Sequence, residues 1–290
     1  MCFSNDLEDY IMKEYHNAIF KKGCVYSSYN PFEIDGIREV LCIIDEIMNK
    51  HSNILVCAPS NLNGVLATSI LMLSLRYLKL NVSNYIYDEN VEFDYDEFRN
   101  HVELMKIDVI FSLDKILKLD LPVEFINISN DPKNICKSKE YILINPHQNN
   151  NSNASKDLTL PALTYKILQA MSQFYSLKSM VKFIDLVFIS LFNDNVKVCG
   201  ENYELLKEGS YFLKNTRNYG LRELISMNSK NITISELIMF INPEYINKNK
   251  VTNARLIVEL LTVSNASKAK QICKYLIKEV NGKSEEKIWT

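Results

Sequence analysis

The stretch Asn53-Ile-Leu-Val-Cys-Ala-Pro-Ser-Asn-Leu-Asn-Gly64 constrains this chain more than any other. Ile54 to Ala58 is an apolar run bounded by polar residues, which predicts a buried strand. Pro59 to Asn63 is a polar loop. Gly64 then leads into Val65 to Leu78, apolar and long enough for a helix. Strand, sharp loop and helix open a parallel α/β unit, and in such sheets ligands sit at the carboxyl ends of the strands. A phosphate or metal site in this loop would call for glycines, a lysine or carboxylates. The loop offers Pro59, Ser60, Asn61 and Asn63 and no charge.

Composition narrows the class. The chain has 290 residues, 47% hydrophobic and 23% charged, which is ordinary for a globular protein. Its net charge of -2 gives no global basic field, so any nucleic-acid contact must be local. Seven cysteines (Cys2, Cys24, Cys42, Cys57, Cys136, Cys199, Cys273) are scattered without a CxxC pair, and the four histidines lie far apart. This pattern predicts free thiols in a reducing compartment and no structural zinc. Met1 to Glu8 is polar and acidic, unlike a signal peptide, and Val65 to Leu80 is too short to span a bilayer. A soluble, cytoplasmic protein without a cofactor is expected.

Beyond the first unit, Leu7 to Phe20 and Ile34 to Met48 read as helices. Asn84 to Tyr87, Asp108 to Ser112, Val123 to Ser129 and Tyr141 to Ile144 read as strands, with a helix at Asp96 to Met105. The fold class expected for 1–150 is therefore α/β, a parallel doubly wound sheet of about five strands. His147 to Lys156 is a low-complexity polar loop. Residues 151–280 form a mostly helical half: Leu160 to Phe174, Leu177 to Phe192, Asn202 to Leu213, Leu221 to Met227, Asn231 to Ile241, Asn253 to Val263 and Ala266 to Val280. Residues 281–290, with the lone Trp289, are expected to form a flexible tail.

Seven segments in order resemble the DHH-phosphoesterase part of the RecJ single-stranded-DNA exonuclease family. They are Asn30-Pro31-Phe32 with its helix, Ile54 to Gly64, Ile110 to Asp114, Ile126 to Asp131, Tyr141 to Pro146, Asp185 to Asp194 with Gly200-Glu201-Asn202, and Leu213 to Arg222. Asn247 and Ala254 to Leu261 resemble the start of the family's connecting helix. The family's catalysis is two-metal hydrolysis with aspartates and a histidine holding manganese. At those positions this chain departs. Three aspartates of the first motif correspond to Pro59, Asn61 and Asn63. The name-giving Asp-His-His reads Asn130-Asp131-Pro132, or shifts by one residue, with no histidine either way. Asp114 and Asp194 stand at ligand positions; each reads equally as a remnant ligand or as a cap beside its own element. Hard divalent cations need anionic oxygens, so no metal is expected. The chain also ends where a C-terminal DHHA1 domain would begin.

This degenerate pattern is similar to inactive RecJ-like proteins of some archaea that pair with the GINS complex. These are counterparts of the eukaryotic cell-division-cycle cofactor of the replicative helicase. The resemblance implies a pseudoenzyme, an accessory subunit of the CMG-type replication helicase that binds GINS and the MCM ring, nucleoid-associated if archaeal. The alternative is a RecJ-like exonuclease or phosphoesterase working with Asp114, Asp131 and Asp194. The basic residues Lys214, Arg217, Arg222, Lys248, Lys250 and Arg255, with Lys207 and the nearby Tyr211 and Tyr219, would either line a single-stranded-DNA path or form a solvated face. The loop Pro59 to Asn63 would either bind an anion at a helix N-terminus or make a structural turn. The acidic stretch Asp88 to Glu97, with Tyr85, Tyr87, Phe93 and Tyr95, is either a partner-docking edge or a loop with anchored rings.

Overall fold

The computed structural model describes residues 30–136, 138–148, 156–228, 232–246 and 249–286. The expected helix Leu7 to Phe20, the residues Asn247, Lys248 and Trp289, and most of the loop from His147 to Lys156 lie outside them.

Five strands form one parallel sheet: β1 (Asn53–Pro59), β2 (Asn81–Tyr87), β3 (Val109–Leu113), β4 (Glu124–Ile128) and β5 (Ile142–Ile144), in the order β2-β1-β3-β4-β5. The chain moves outward from β1 to β2 and then crosses back to β3. The order therefore reverses beside β1, and the loop after β1 sits at the switch point of the sheet. Helix α1 (Ile37–Lys50) precedes β1, α2 (Leu62–Tyr77) joins β1 to β2, and α3 (Tyr95–Leu104) joins β2 to β3. Gly36 caps α1 at φ +89°, and a Cβ there would stand 2.7 Å from the Leu143 carbonyl oxygen, so glycine lets α1 start against β5.

Alternation along the strands divides the core. Ile54, Val56 and Ala58 of β1 join Val109, Phe111 and Leu113 of β3 in the large core beneath α1 and α2. Leu55, Cys57, Ile110 and Phe125 face the other way and pack with Phe98 and Val102 of α3. From β3 to β4 the chain crosses without a helix. The side chain of the fully buried Asn127 takes both backbone groups of Leu117, accepting from its N–H (3.0 Å) and donating to its carbonyl (3.2 Å). Leu117 is thereby held in the smaller core.

The helical half is α4 (Leu160–Phe174), α5 (Ile184–Asn193), α6 (Glu201–Lys214), α7 (Tyr219–Met227), α8 (Ile234–Ile241), α9 (Lys250–Thr262) and α10 (Ala266–Glu286). Helix α2 is apolar nearly all round because it is covered all round, by β1 on one side and by α4, α5 and α9 on the others. One hydrophobic core thus runs from Ile34 in the α/β half to Val280 in the helical half.

Three sequence expectations shift. The β2 strand starts at Asn81, where Asn81 Nδ2 donates to Asn53 Oδ1 at 2.6 Å. Asn81, Ser83 and Asn84 are polar and only Val82 among its first four residues is apolar, so no apolar run marks them. Leu177 to Phe192 is not one helix: a 3-10 segment, Lys178–Phe183, precedes α5. Three residues per turn set Met180 and Phe183 on one inward face, and both are buried. Finally, α10 continues to Glu286, past residue 281 where a flexible tail was expected.

Candidate functional site at the strand ends

Helix α2 begins tightly over the end of β1. A Cβ on Gly64 would lie 2.2 Å from the Pro59 carbonyl oxygen, so only glycine allows this approach. Asn61 caps α2, its Oδ1 accepting from Gly64 N at 2.8 Å. Ser60 is fully buried, and its N–H (3.2 Å) and Oγ (3.0 Å) both donate to Glu89 Oε2. The other Glu89 oxygen accepts from Lys250 Nζ (2.7 Å), which also reaches Glu244 (3.0 Å). Burial would raise the Glu89 pKa, but donation from Lys250 and Ser60 outweighs it and holds the carboxyl below its usual range. The Pro59 to Asn63 loop is therefore turn and cap chemistry, with its buried hydroxyl serving an acid of the same protein.

Asn63, on the first turn of α2, faces the end of α5. Its Nδ2 donates to Asp194 Oδ2 at 2.7 Å, and its Oδ1 accepts from Ser190 Oγ at 2.9 Å. Ser190 Oγ lies 2.8 Å from Thr159 Oγ1, the N-cap of α4. Asp194 closes α5, its N–H donating to Ser190 O (3.0 Å), and its Oδ1 accepts from Asn193 Nδ2 (3.0 Å). An amide thus stands between helices at this point and satisfies the carboxylate directly.

Asp114 follows β3 at φ +67°, and its N–H donates to Ile128 O at 2.7 Å. Its pKa is raised, by burial first and by the nearby Asp131 second. Asp131 engages its carboxylate in a local turn, accepting from Lys133 N at 2.8 Å. Asn130 Nδ2 donates to Leu158 O (3.2 Å) and so ties β4 to the entry of α4. The Asn145 side chain donates to the carbonyls of Asp131 (2.9 Å) and Asn134 (2.8 Å), giving the Asn-Pro pair after β5 a structural task.

Of the basic residues singled out in sequence, Lys250, Arg217 and Arg255 lie apart from one another. Lys250 is ion-paired at the start of α9, beside the strand ends. Arg217 lies by Leu261, at the opposite end of that helix, roughly 20 Å away at 1.5 Å per residue. Arg255 lies near Tyr85 and His101, on the side of the β2 edge. The acidic-aromatic stretch is anchored inward. Tyr85 and Phe93 are buried in the smaller core, and Lys115 Nζ stands 4.9 Å from the Phe93 ring centre and 5.8 Å from that of Tyr95. Glu89 was hidden within that acidic run; its place just after an apolar strand was the available signal.

With this geometry in view, the structure superposes on exonuclease RecJ bound to manganese with a TM-score of 0.73 at 20% identity, over 87% of this chain and 67% of that one. On RecJ in complex with Mn2+ from Thermus thermophilus the TM-score is 0.73 at 18% identity, over 95% of this chain and 42% of that one. On the DHH domain of a protein described as a member of a family of ribosomal proteins it is 0.56 at 14% identity, over 97% and 69%. No family model and no curated protein matches the sequence. The five-stranded parallel sheet with its helices is thus the RecJ/DHH fold, and the chain spans less than half of the second RecJ.

The manganese held by those RecJ structures invites a test of the donors present here. Asn61 and Asn63 offer neutral oxygens already engaged, by a helix cap and by Ser190. Asp194 faces an amide, and Asp131 faces a backbone N–H. Among the described residues no three His, Cys, Asp or Glu side chains are grouped to hold an ion. Two adjacent divalent cations need several anionic oxygens to offset their desolvation. This donor set does not fit them.

Proposed function

We propose that the chain is a non-catalytic RecJ-like subunit of the chromosomal replication helicase, binding GINS and the MCM ring, and nucleoid-associated if archaeal. The observation that carries the reading is the Asn63–Asp194 hydrogen bond. An amide and a carboxylate complete each other at a place where the RecJ resemblance would put two metal ligands. The fold supplies a rigid framework, and function passes to its surface. The choice of partner rests on the similarity of the degenerate motifs to archaeal RecJ-like proteins that pair with GINS.

Two measurements test this. Purified protein with manganese and labelled single-stranded DNA should show no turnover above that of Asp194→Ala. Purified GINS should co-elute with the protein in size-exclusion chromatography. Turnover abolished by Asp194→Ala would restore the exonuclease reading, which the proximity of Asp114 and Asp131 favours. Separate elution of GINS would remove the helicase assignment while leaving the absence of catalysis intact.

A further inference from the structure

A cavity of about 390 Å³ lies at the opposite end of α2 from the strand ends. The 16 residues of α2 separate the two by roughly 24 Å. Four pieces of chain meet there: the last turn of α2, the start of α5 with the 3-10 segment before it, the start of α7, and the end of α9. Asn218 fastens two of them, its Nδ2 donating to Leu261 O at 2.7 Å while its Oδ1 caps α7.

Three cations line this cavity: Arg76, Lys182 and Arg217. Among the described residues none of them is in an ion pair, although Lys182 lies over the Phe183 ring at 5.1 Å. The only acid in the lining is Asp185, and it is turned to the protein, accepting from Thr216 Oγ1 (2.6 Å) and Leu186 N (2.8 Å). The carbonyl ends of α2 and α9 contribute about half a negative charge each, and the amide end of α7 about half a positive one. Even if Asp185 is counted as fully ionised, more than one positive charge remains. The floor is apolar, with Leu73, Phe183 and Leu261, and Tyr77 and Tyr219 stand exposed on the rim. The volume falls at the lower end of ligand-sized pockets, about 300 Å³ upward.

We infer that this cavity docks an acidic peptide segment of a partner protein. A carboxylate of the segment lies in the forks of Arg76 and Arg217, and an apolar neighbour rests on Phe183 and Leu261. Exposed tyrosines beside arginine are the residue types that dominate protein–protein binding. A nucleic-acid strand would need a basic track leading away; the next candidate cation along α9, Arg255, stands near Tyr85 and His101 on the β2-edge side, and Lys250 beyond it is neutralised by Glu89 and Glu244. The inference stands apart from the helicase assignment, because it uses no residue of the strand-end cleft and names no particular partner.

The test is fluorescence anisotropy with a short labelled peptide of alternating Asp, Leu and Phe, competed against an oligo-dT strand of equal charge. Saturable peptide binding is expected, weakened about tenfold by Arg76→Ala and by Arg217→Ala, the effect of one charge-assisted hydrogen bond. Arg255→Ala, outside the cavity, should leave it unchanged. Both cavity arginines are exposed, so the truncated proteins should melt as the parent does; Lys182→Met supplies an independent variant. Unsaturable peptide binding, indifference to all three variants, or oligo-dT bound more tightly with the same sensitivity would each overturn the inference.

Discussion

The two ends of α2 handle charge in opposite ways. At the strand ends every acid named above meets a donor: Glu89 meets Lys250 and Ser60, Asp194 meets Asn63 and Asn193, Asp131 meets its own turn, and Asp114 accepts a long bond from Ser129 Oγ at 3.5 Å. At the far end Arg76, Lys182 and Arg217 surround a cavity in which only Asp185 is acidic. A place that satisfies its own polar groups has little left to offer a ligand, whereas one that leaves cations unmatched can gain by binding. The fold is expected to bind in that cavity, away from the strand-end cleft.

The sharpest probe of charge compensation is its extreme case, within the helical half. Lys166 of α4 and Glu201 of α6 form an ion pair at 2.5 Å, with side chains 0% and 3% exposed. Lys166→Met should destabilise the protein by about 3–5 kcal/mol in urea denaturation, because a buried carboxylate loses its counter-charge. Lys166→Met with Glu201→Leu should recover most of that loss. A double variant no better than the single would mean that packing, and not charge, sets the cost.

On the uncompensated side, Asp185 gives a pH signature. Burial pushes its carboxyl up to about 7, with Thr216, Leu186 and then Lys182 pulling the other way. Its unfolded value is about 3.9, so the unfolded chain releases this proton first as pH rises. The contribution is therefore fully present below about pH 4 and is lost as pH climbs to about 7, on the order of 4 kcal/mol at most. Asp185→Asn should flatten the stability profile across that window. A profile with the parent's slope would place the ionisation elsewhere.

A smaller effect tests how tightly the mouth is closed. Gly64→Ala should cost about 1–3 kcal/mol in thermal melts, since its Cβ meets backbone at Pro59 rather than a movable side chain. An unchanged melting temperature would show that the start of α2 can shift away from β1.

How much of this was readable in the sequence follows from the range of each interaction. The strands are mostly short apolar runs and α4 has the bounds its periodicity predicts, because burial repeats locally along the chain. The ligand positions Pro59, Asn61, Asn63, Asp114, Asp131 and Asn130 were legible as places. Their tasks were not: Asn63 meets Asp194 across 131 residues, and Ser60 meets Glu89 across 29. The cavity was harder still. Arg76, Lys182 and Arg217 come from three elements with no common spacing, and only Arg217 carried any sequence signal. Conversely, the spacing that suggested one basic track mixed Lys250, which is ion-paired, with Arg217 at the other end of α9.

The smallest expected effect bears most directly on the cleft. Asn63→Asp replaces the amide that donates to Asp194 with a second carboxylate, so two like charges face each other across about 3 Å. Asp194 is exposed, and with screening close to that of bulk water the cost is about 1.4 kcal/mol, or a few degrees in melting temperature. Acidification should remove it as the pair takes up a proton. The exchange Asn63→Asp with Asp194→Asn should also remove it, because the donor then sits on the other partner. Manganese should not restore the single variant: Asn61 still caps α2, Asn130 still binds Leu158, and Asp131 still serves its turn. If manganese instead raised its melting temperature by the equivalent of about 2.7 kcal/mol at a hundredfold excess over the dissociation constant, the mouth would be one carboxylate short of a cation site. The contrast between the two ends of α2 would then fail at the cleft, and the case against catalysis with it.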